Sequence, residues 1–303
     1  MKTMLVLSMG ALLLAGTLSA QTPVPEWQAG VDKMKSLIQT NPAQASEEVG
    51  ELLKGKNKKN VDLVTSVAHV YLDAGKLTEA QEYLAMAKKA NNKDPKVSVL
   101  EGDIALAQKN IGQACQLYEQ AIYFDPNCKE AYLKYAQAYK SASPALAIEK
   151  LEQLKAVDPN CLEADRELAE VYYSSNRFGK AAEMYAKFID TPLATEDDML
   201  KYAFALFLNH DFEKSLQVAQ KGLQKNARHA AFNRLVMYNN TDLKRYEDAE
   251  KAAHAFFNAS DRADYSYLDY RYYGALLSAL KKYDEAIIEY GKALEKDGTQ
   301  VDL

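Results

Sequence analysis

A small residue returns along this chain at a nearly constant interval: Ala80, Ala114, Ala147, Ala181, Ser215, Ala249 and Ala286, in steps of 34, 33, 34, 34, 34 and 37 residues. Self-similarity at that period marks stacked helix–turn–helix units, each touching only its neighbours. The reason is steric. Where two antiparallel helices cross closest, a side chain of alanine size lets their axes approach to ~8–10 Å. Each rung also opens a helical stripe. Leu84, Tyr118, Leu151, Tyr185, Ala219, Ala253 and Tyr290 come four residues later; Ala87, Ala121, Leu154, Phe188, Gly222, Phe256 and Ala293 come three further on. Spacing of i, i+4, i+7 puts all three positions on one helix face. Upstream stripes such as Tyr132/Tyr135/Tyr139, Met199/Tyr202/Leu206 and Tyr270/Tyr273/Leu277 mark the first helix of each pair. Turns such as Asp73-Ala74-Gly75-Lys76 and Asn209-His210-Asp211 join the two helices. Pro126, Pro159 and Pro192 close units, because the residue before proline is pushed out of α space. The expected fold class is all-α, a solenoid of antiparallel helix pairs.

These residues resemble the tetratricopeptide repeat family, whose pattern is W-x2-L-G-x2-Y, then A-x3-F, then P, at a 34-residue period. The resemblance covers about residues 61 to 296 in seven units. It is strongest in Ala114-x3-Tyr118 through Pro126, in Tyr172 through Tyr185, and in Tyr270 through Ala293. The aromatic expected at the fourth position of the first helix is present as Tyr132 and Tyr270 but replaced by Val64, Ser98, Asp165, Met199 and Asn233 elsewhere. The resemblance implies a right-handed superhelical solenoid with first helices on a concave side that holds a partner protein or peptide. Residues 26–59, with helices expected over Trp27–Leu37 and Ala43–Leu53, read as a degenerate pair acting as N-terminal cap. Seven repeats fill 60–297, and 298–303 form a short tail. The array reads as incomplete: the last helix is expected to expose Ile287, Tyr290 and Leu294, which would suit further chain, a partner or self-association.

The first twenty residues are of another kind. Lys2 precedes an apolar run from Met4 to Leu14, and Gly16-Thr17-Leu18-Ser19-Ala20 supplies small residues before Gln21. That order is the layout of a secretory signal peptide, so residues 1–20 are expected to direct export, with the mature protein periplasmic or otherwise exported. Leu18 is larger than an ideal cleavage site prefers, so an uncleaved anchor is the alternative. No cysteine near Ala20 offers a lipid attachment point, and no later segment is long and apolar enough to span a membrane. Cys115, Cys128 and Cys161 are an odd number for an oxidising compartment. Cys128 and Cys161 sit one repeat apart, beyond the ~7 Å Cα limit of a disulfide, and all three read as free thiols.

Charge and motif content narrow the function. A net charge of −5 and pI near 5.6 give no basic stripe for nucleic acid; the cluster Lys54, Lys56, Lys58 and Lys59 reads as a solvated inter-helix loop. His69, His210, His229 and His254 are scattered without metal-ligand spacing. There is no phosphate-cradling glycine loop, and no catalytic residue, metal or cofactor is expected. By phase with the ladder, Phe204, Phe207, Leu208, Arg234, Tyr238, Arg271 and Tyr272 are expected to face the groove, and aromatics with arginine dominate binding hot spots. The matching positions in earlier units are polar: Asp103, Glu130, Gln137, Arg166, Glu167 and Glu170. The expectation is an acidic front half and an aromatic, arginine-bearing back half, suited to an extended peptide or amphipathic helix. Some family members clamp a C-terminal carboxylate with Lys/Arg and Asn four residues apart. Here those positions read Leu133/Gln137, Arg166/Glu170, Arg234/Tyr238 and Arg271/Ala275, so that property is not carried over.

The function expected is a non-enzymatic protein–protein interaction scaffold of the bacterial cell envelope. The alternatives are an adaptor for envelope polysaccharide or outer-membrane assembly machinery, and a carbohydrate or small-molecule binder at the tyrosine-rich stretch Tyr265–Tyr273. One unit breaks rank. Asn239-Asn240-Thr241-Asp242 is expected to end its helix early, since Asn and Asp side chains compete with helix hydrogen bonds, and could leave a binding notch or hinge.

Overall fold

The computed structural model describes residues 24–259 and 265–299, so the signal peptide expected at 1–20 and residues 260–264, within the 37-residue step of the ladder, lie outside the described residues. Sixteen α-helices and no strand occur among the described residues, arranged as eight antiparallel pairs. The pairs are α1 (Gln28–Leu37) with α2 (Pro42–Leu52), α3 (Val61–Asp73) with α4 (Leu77–Asn91), α5 (Pro95–Ala107) with α6 (Ile111–Phe124), and α7 (Lys129–Tyr139) with α8 (Pro144–Val157). They continue as α9 (Leu162–Ser174) with α10 (Phe178–Phe188), α11 (Glu196–Leu208) with α12 (Phe212–Lys225), α13 (Ala230–Asp242) with α14 (Tyr246–Ala259), and α15 (Tyr267–Ala279) with α16 (Tyr283–Lys296). The lysine cluster forms a short exposed 3-10 helix, Gly55–Lys59, between α2 and α3.

Every rung of the ladder is the fourth residue of a second helix, and every rung is buried. Ser215, the polar rung, donates its hydroxyl to the Ala203 carbonyl at 2.8 Å. The stripe positions are buried too, except Tyr290, which lies half-buried over Gly274. Ala45, fourth residue of α2 and fully buried, is an eighth rung that extends the ladder into the cap.

The turns inside six of the eight pairs, all but α1/α2 and α7/α8, share one geometry. Gly75, Lys109, Asn176, His210, Lys244 and Lys281 all have positive φ, between 58° and 74°. In each case the next amide reaches back to a carbonyl five residues earlier, for instance Lys76 N to Tyr71 O and Lys282 N to Leu277 O, both 2.9 Å. This left-handed cap satisfies the free carbonyls at a helix end. The second helix then starts at once, so the two helices of a pair are held close.

Successive first helices pack on each other, as α3 on α5 and α13 on α15, whereas no two successive second helices are among the closely packed pairs. The array therefore curves with first helices inside and second helices outside, giving a right-handed superhelical solenoid with a concave inner face. Its core is a string of four apolar clusters, each spanning neighbouring pairs.

The expected early end of α13 does not occur. Asn239 Nδ2, Asn240 Nδ2 and Thr241 Oγ1 donate to the carbonyls four residues back, Leu235, Val236 and Met237, at 2.8, 2.9 and 2.8 Å. The competing side chains are spent along the helix rather than against it. Cys115, Cys128 and Cys161 are free thiols.

Candidate partner-binding surface

The inner face is built from ion pairs that run from one first helix to the next. Asp103 on α5 accepts from Tyr118 Oη of its own pair at 2.7 Å, meets His69 Nε2 of α3 at 2.9 Å, and lies 3.0 Å from Lys134 Nζ of α7. Glu170 on α9 repeats the arrangement 67 residues on: Tyr185 Oη at 2.7 Å, Lys201 Nζ of α11 at 2.9 Å, and Nζ of Lys140, which caps the end of α7, at 3.1 Å. Burial pushes both carboxyls upward, but the surrounding donors outweigh it and hold both below their ordinary values. The same contacts and burial push the Tyr118 and Tyr185 phenols well above theirs. Lys96 with Asp62 and Gln137 with Glu167 continue the lattice, at 2.5 and 2.7 Å.

This corrects the expected acidic front half. The carboxylates are there, but Lys96, Lys134, Lys140 and Lys201 neutralise them from adjacent first helices. Partners at separations of 30 to 34 residues, one repeat apart, were the available signal.

A second device recurs at helix starts. Asp198 and Asp269 each close a capping box, with Thr195 and Ser266 respectively, and each receives an arginine from the preceding first helix. Arg166 Nη2 reaches Asp198 Oδ2 at 3.0 Å, and Arg234 Nε reaches Asp269 Oδ1 at 2.6 Å. Tyr238 Oη also donates to Asp269 Oδ1, at 2.7 Å.

The back-half residues divide accordingly. Tyr238 is 2% exposed and Phe207 is buried, with ring centroids 5.6 Å apart. Tyr272 stacks on Tyr238 at 4.1 Å, and its hydroxyl donates to Asp242 at 2.8 Å. These rings join α11, α13 and α15 into one core cluster. Phe207, Tyr238 and Arg234 are therefore corrected from groove contacts to packing, because the curvature brings adjacent first helices close enough for their side chains to meet. Leu208 (44% exposed) and Arg271 are open, and Phe204 and Tyr272 are part-exposed. Arg271 forms no ion pair with any described residue, which sets it apart from Arg166 and Arg234.

Of two further surfaces, the first was not foreseen, and the second is the exposed edge expected on the last helix, to which Ile288 is added. A concave cavity of about 310 Å³ at the front of the array is lined by Trp27, Asp62, Ser66, His69, Lys96 and Glu130. On α16, Ile287 and Ile288 are 68% and 58% exposed, with Leu294 at 40%. Tyr290 is corrected out of that edge by its contact with Gly274. The tyrosine-rich stretch is part-exposed and packed on its neighbours: Tyr270 and Tyr273 stack on Phe257 at 5.8 and 5.0 Å, and Tyr265 meets the same ring at 4.8 Å.

The comparisons with known proteins agree with this architecture. A family model described as tetratricopeptide repeat matches residues 68–127 and 137–193. Among solved structures, the C-terminal part of a TPR repeat-containing protein from Cytophaga hutchinsonii aligns with TM-score 0.58 at 18% identity, covering 77% of this chain and 96% of that one. The pilF protein of Pseudomonas aeruginosa aligns with TM-score 0.53 at 15% identity, covering 68% and 96%. A tetratricopeptide repeat protein from Parabacteroides merdae aligns with TM-score 0.50 at 16% identity, covering 78% and 93%. At these identities the likeness concerns the fold. The search of curated proteins returns no match. With the buried ladder, the paired helices and the matched repeats in agreement, the chain carries tetratricopeptide repeats over residues 68–127 and 137–193 and folds as a tetratricopeptide-type solenoid.

Proposed function

We propose that this protein is a scaffold of the bacterial cell envelope that holds a partner polypeptide against its concave face. Tetratricopeptide repeat proteins are in general non-enzymatic interaction scaffolds, and the inner face has the physical properties that role needs. Its ion-pair lattice orders the surface before any ligand arrives, so binding carries little ordering cost. The observation that carries the reading is the group Phe204, Leu208, Arg271 and Tyr272. It combines an open leucine, an arginine without an internal partner and two part-exposed rings on α11 and α15. Arg271 and Tyr272 are hot-spot residue types, and Phe204 and Leu208 add apolar surface. A segment with an apolar anchor and a nearby carboxylate is the complementary ligand.

Export is proposed from the n-region, apolar run and small residues of positions 1–20. The test has two arms. N-terminal sequencing of the protein purified from its native envelope should begin at Gln21. Cross-linking in that envelope, followed by mass spectrometry, should join the partner to Leu208 or Arg271 sites, and Leu208→Asp with Arg271→Glu should remove the cross-link without changing helicity. Cross-links that persist in the double variant would refute the concave site.

A further inference from the structure

The two asparagines of α13 that break the repeat pattern lie on the opposite, convex side, and they open a cavity there. Asn233 and Asn240 occupy the fourth and eleventh positions of their first helix, seven residues and hence ~10.5 Å apart along its axis. The same two positions hold Val64 and Tyr71, Tyr132 and Tyr139, Asp165 and Tyr172, Met199 and Leu206, and Tyr270 and Leu277 in other units. Each of those pairs includes a bulky apolar or aromatic side chain. The remaining unit has Ser98 and Ala105, where Ser98 Oγ donates to Gln120 Oε1 at 3.2 Å.

Replacing bulk by carboxamides leaves room. The cleft between α12 and α14, floored by α13, has a volume of about 570 Å³. The corresponding cleft one unit earlier, floored by Met199 and Tyr202, measures about 260 Å³. The larger volume lies within the usual range of ligand sites.

The chemistry of the floor is fixed by the backbone. Asn233 Nδ2 donates to Ala227 O at 2.9 Å and His229 O at 3.3 Å, and Asn240 Nδ2 donates to Val236 O at 2.9 Å. An amide oxygen cannot replace nitrogen beside those carbonyls, so both amides are locked with Oδ1 turned away from them. Neither Oδ1 accepts a hydrogen bond from a described residue, and both stay accessible from the cleft that the two residues line, unlike Asn239 Oδ1, which is buried without a partner. Leu216, Val236, Ala252 and Ala255 give the cleft an apolar part, and Gln220, Arg245, Asp248 and Lys251 also line it.

We propose that this cleft is a second binding site, on the convex face, that takes a partner's aromatic side chain bearing an N–H or O–H donor, an indole or a phenol. The ring stands between Leu216, Val236 and the two alanines, in space that bulky residues of the chain itself fill in most other units. Its donor reaches an asparagine Oδ1. A ring without a donor leaves a buried acceptor unpaired, which selects against phenylalanine. The site is independent of the concave face, so either proposal can fail alone.

The test is a titration of the isotope-labelled protein with N-acetyltryptophanamide and N-acetylphenylalaninamide, followed by NMR at the Asn233 and Asn240 carboxamides. The tryptophan probe should give saturable shifts there, and the phenylalanine probe should bind at least ten-fold more weakly. Asn233→Met with Asn240→Leu, which installs the residues of the preceding unit, should abolish the shifts that the tryptophan probe also causes at the Leu216, Ala252 and Ala255 methyl groups, while the melting temperature holds or rises. No saturable shift with the tryptophan probe, equal binding of both probes, or a retained response in the filled variant would overturn the proposal.

Discussion

Arg234 of α13 and Asp269 of α15 meet as a two-pronged pair, Nε to Oδ1 at 2.6 Å and Nη2 to Oδ2 at 2.9 Å. Asp269 has no exposed surface, and its remaining acceptor capacity takes Tyr238 Oη and the Ser266 cap. Removing one partner of a buried, hydrogen-bonded pair strands the other, at a cost of ~3–5 kcal/mol. Asp269→Ala should therefore lower the free energy of unfolding by about that amount in urea titrations. Arg234→Lys should also destabilise, because an ammonium cannot make the parallel two-bond contact. An unchanged urea midpoint in both variants would show the pair to be a surface contact.

Two helical glycines should respond oppositely to alanine. A Cβ on Gly222 would lie 2.4 Å from the Phe232 ring, which is fully buried and has no free space to enter. Overpacking of this kind costs ~1–3 kcal/mol. A Cβ on Gly291 meets nothing within 4 Å, so Gly291→Ala should stabilise by ~0.5–1 kcal/mol through helix propensity alone. Thermal melts of the two variants should move in opposite directions.

The contrast shows what the chain discloses in one dimension. Close helix crossing admits only small side chains, so Ala80 through Ala286 are legible from spacing, and the fold with them. Ala45, 35 residues before Ala80 and followed by Val49 and Leu52 at the same i+4 and i+7 spacing, obeys the same rule. The inner face was harder to read. Asp103, Lys134, Glu170 and Lys201 are residue types that usually sit in solvent, and only the curvature of the array makes them partners. Tyr238 and Phe207 were placed on the correct helices, but helix phase alone does not say whether the next helix covers them. Asn240 was recognised as a break in the pattern; that its break opened outward, with Asn233, depended on where α12 and α14 stand.

The left-handed turn residues carry strain that glycine would relieve. Lys109, Lys244 and Lys281 have φ of 64°, 59° and 62°, where a Cβ crowds the following carbonyl at a cost of ~1–2 kcal/mol. Glycine at these points loses more chain entropy on folding, which offsets part of the gain. Each Lys→Gly substitution should raise stability by ~0.5–1 kcal/mol. The three sites lie in different units, so the triple variant should show nearly the sum. Asn176 already tolerates this conformation, and Asn176→Gly should change the melting temperature least.

Acid should loosen the inner lattice before it affects the apolar core. Asp103 and Glu170 have carboxyls held below their ordinary values, because His69, Tyr118 and Lys134 outweigh burial at one and Tyr185, Lys201 and Lys140 at the other. A group with a depressed folded-state pKa binds protons less readily than the unfolded chain does. Its contribution is fully present above the unfolded value, near 4, and is lost as pH falls through the folded value. Stability measured by urea unfolding should therefore hold from neutral pH to about 5 and decline below it. Asp103→Asn with Glu170→Gln should be less stable at pH 7 and show a shallower decline between pH 5 and 3, because those two proton uptakes are gone. Parallel pH profiles for variant and wild type would show that the lattice contributes nothing to folding, leaving the inner face to be ordered by apolar contacts alone.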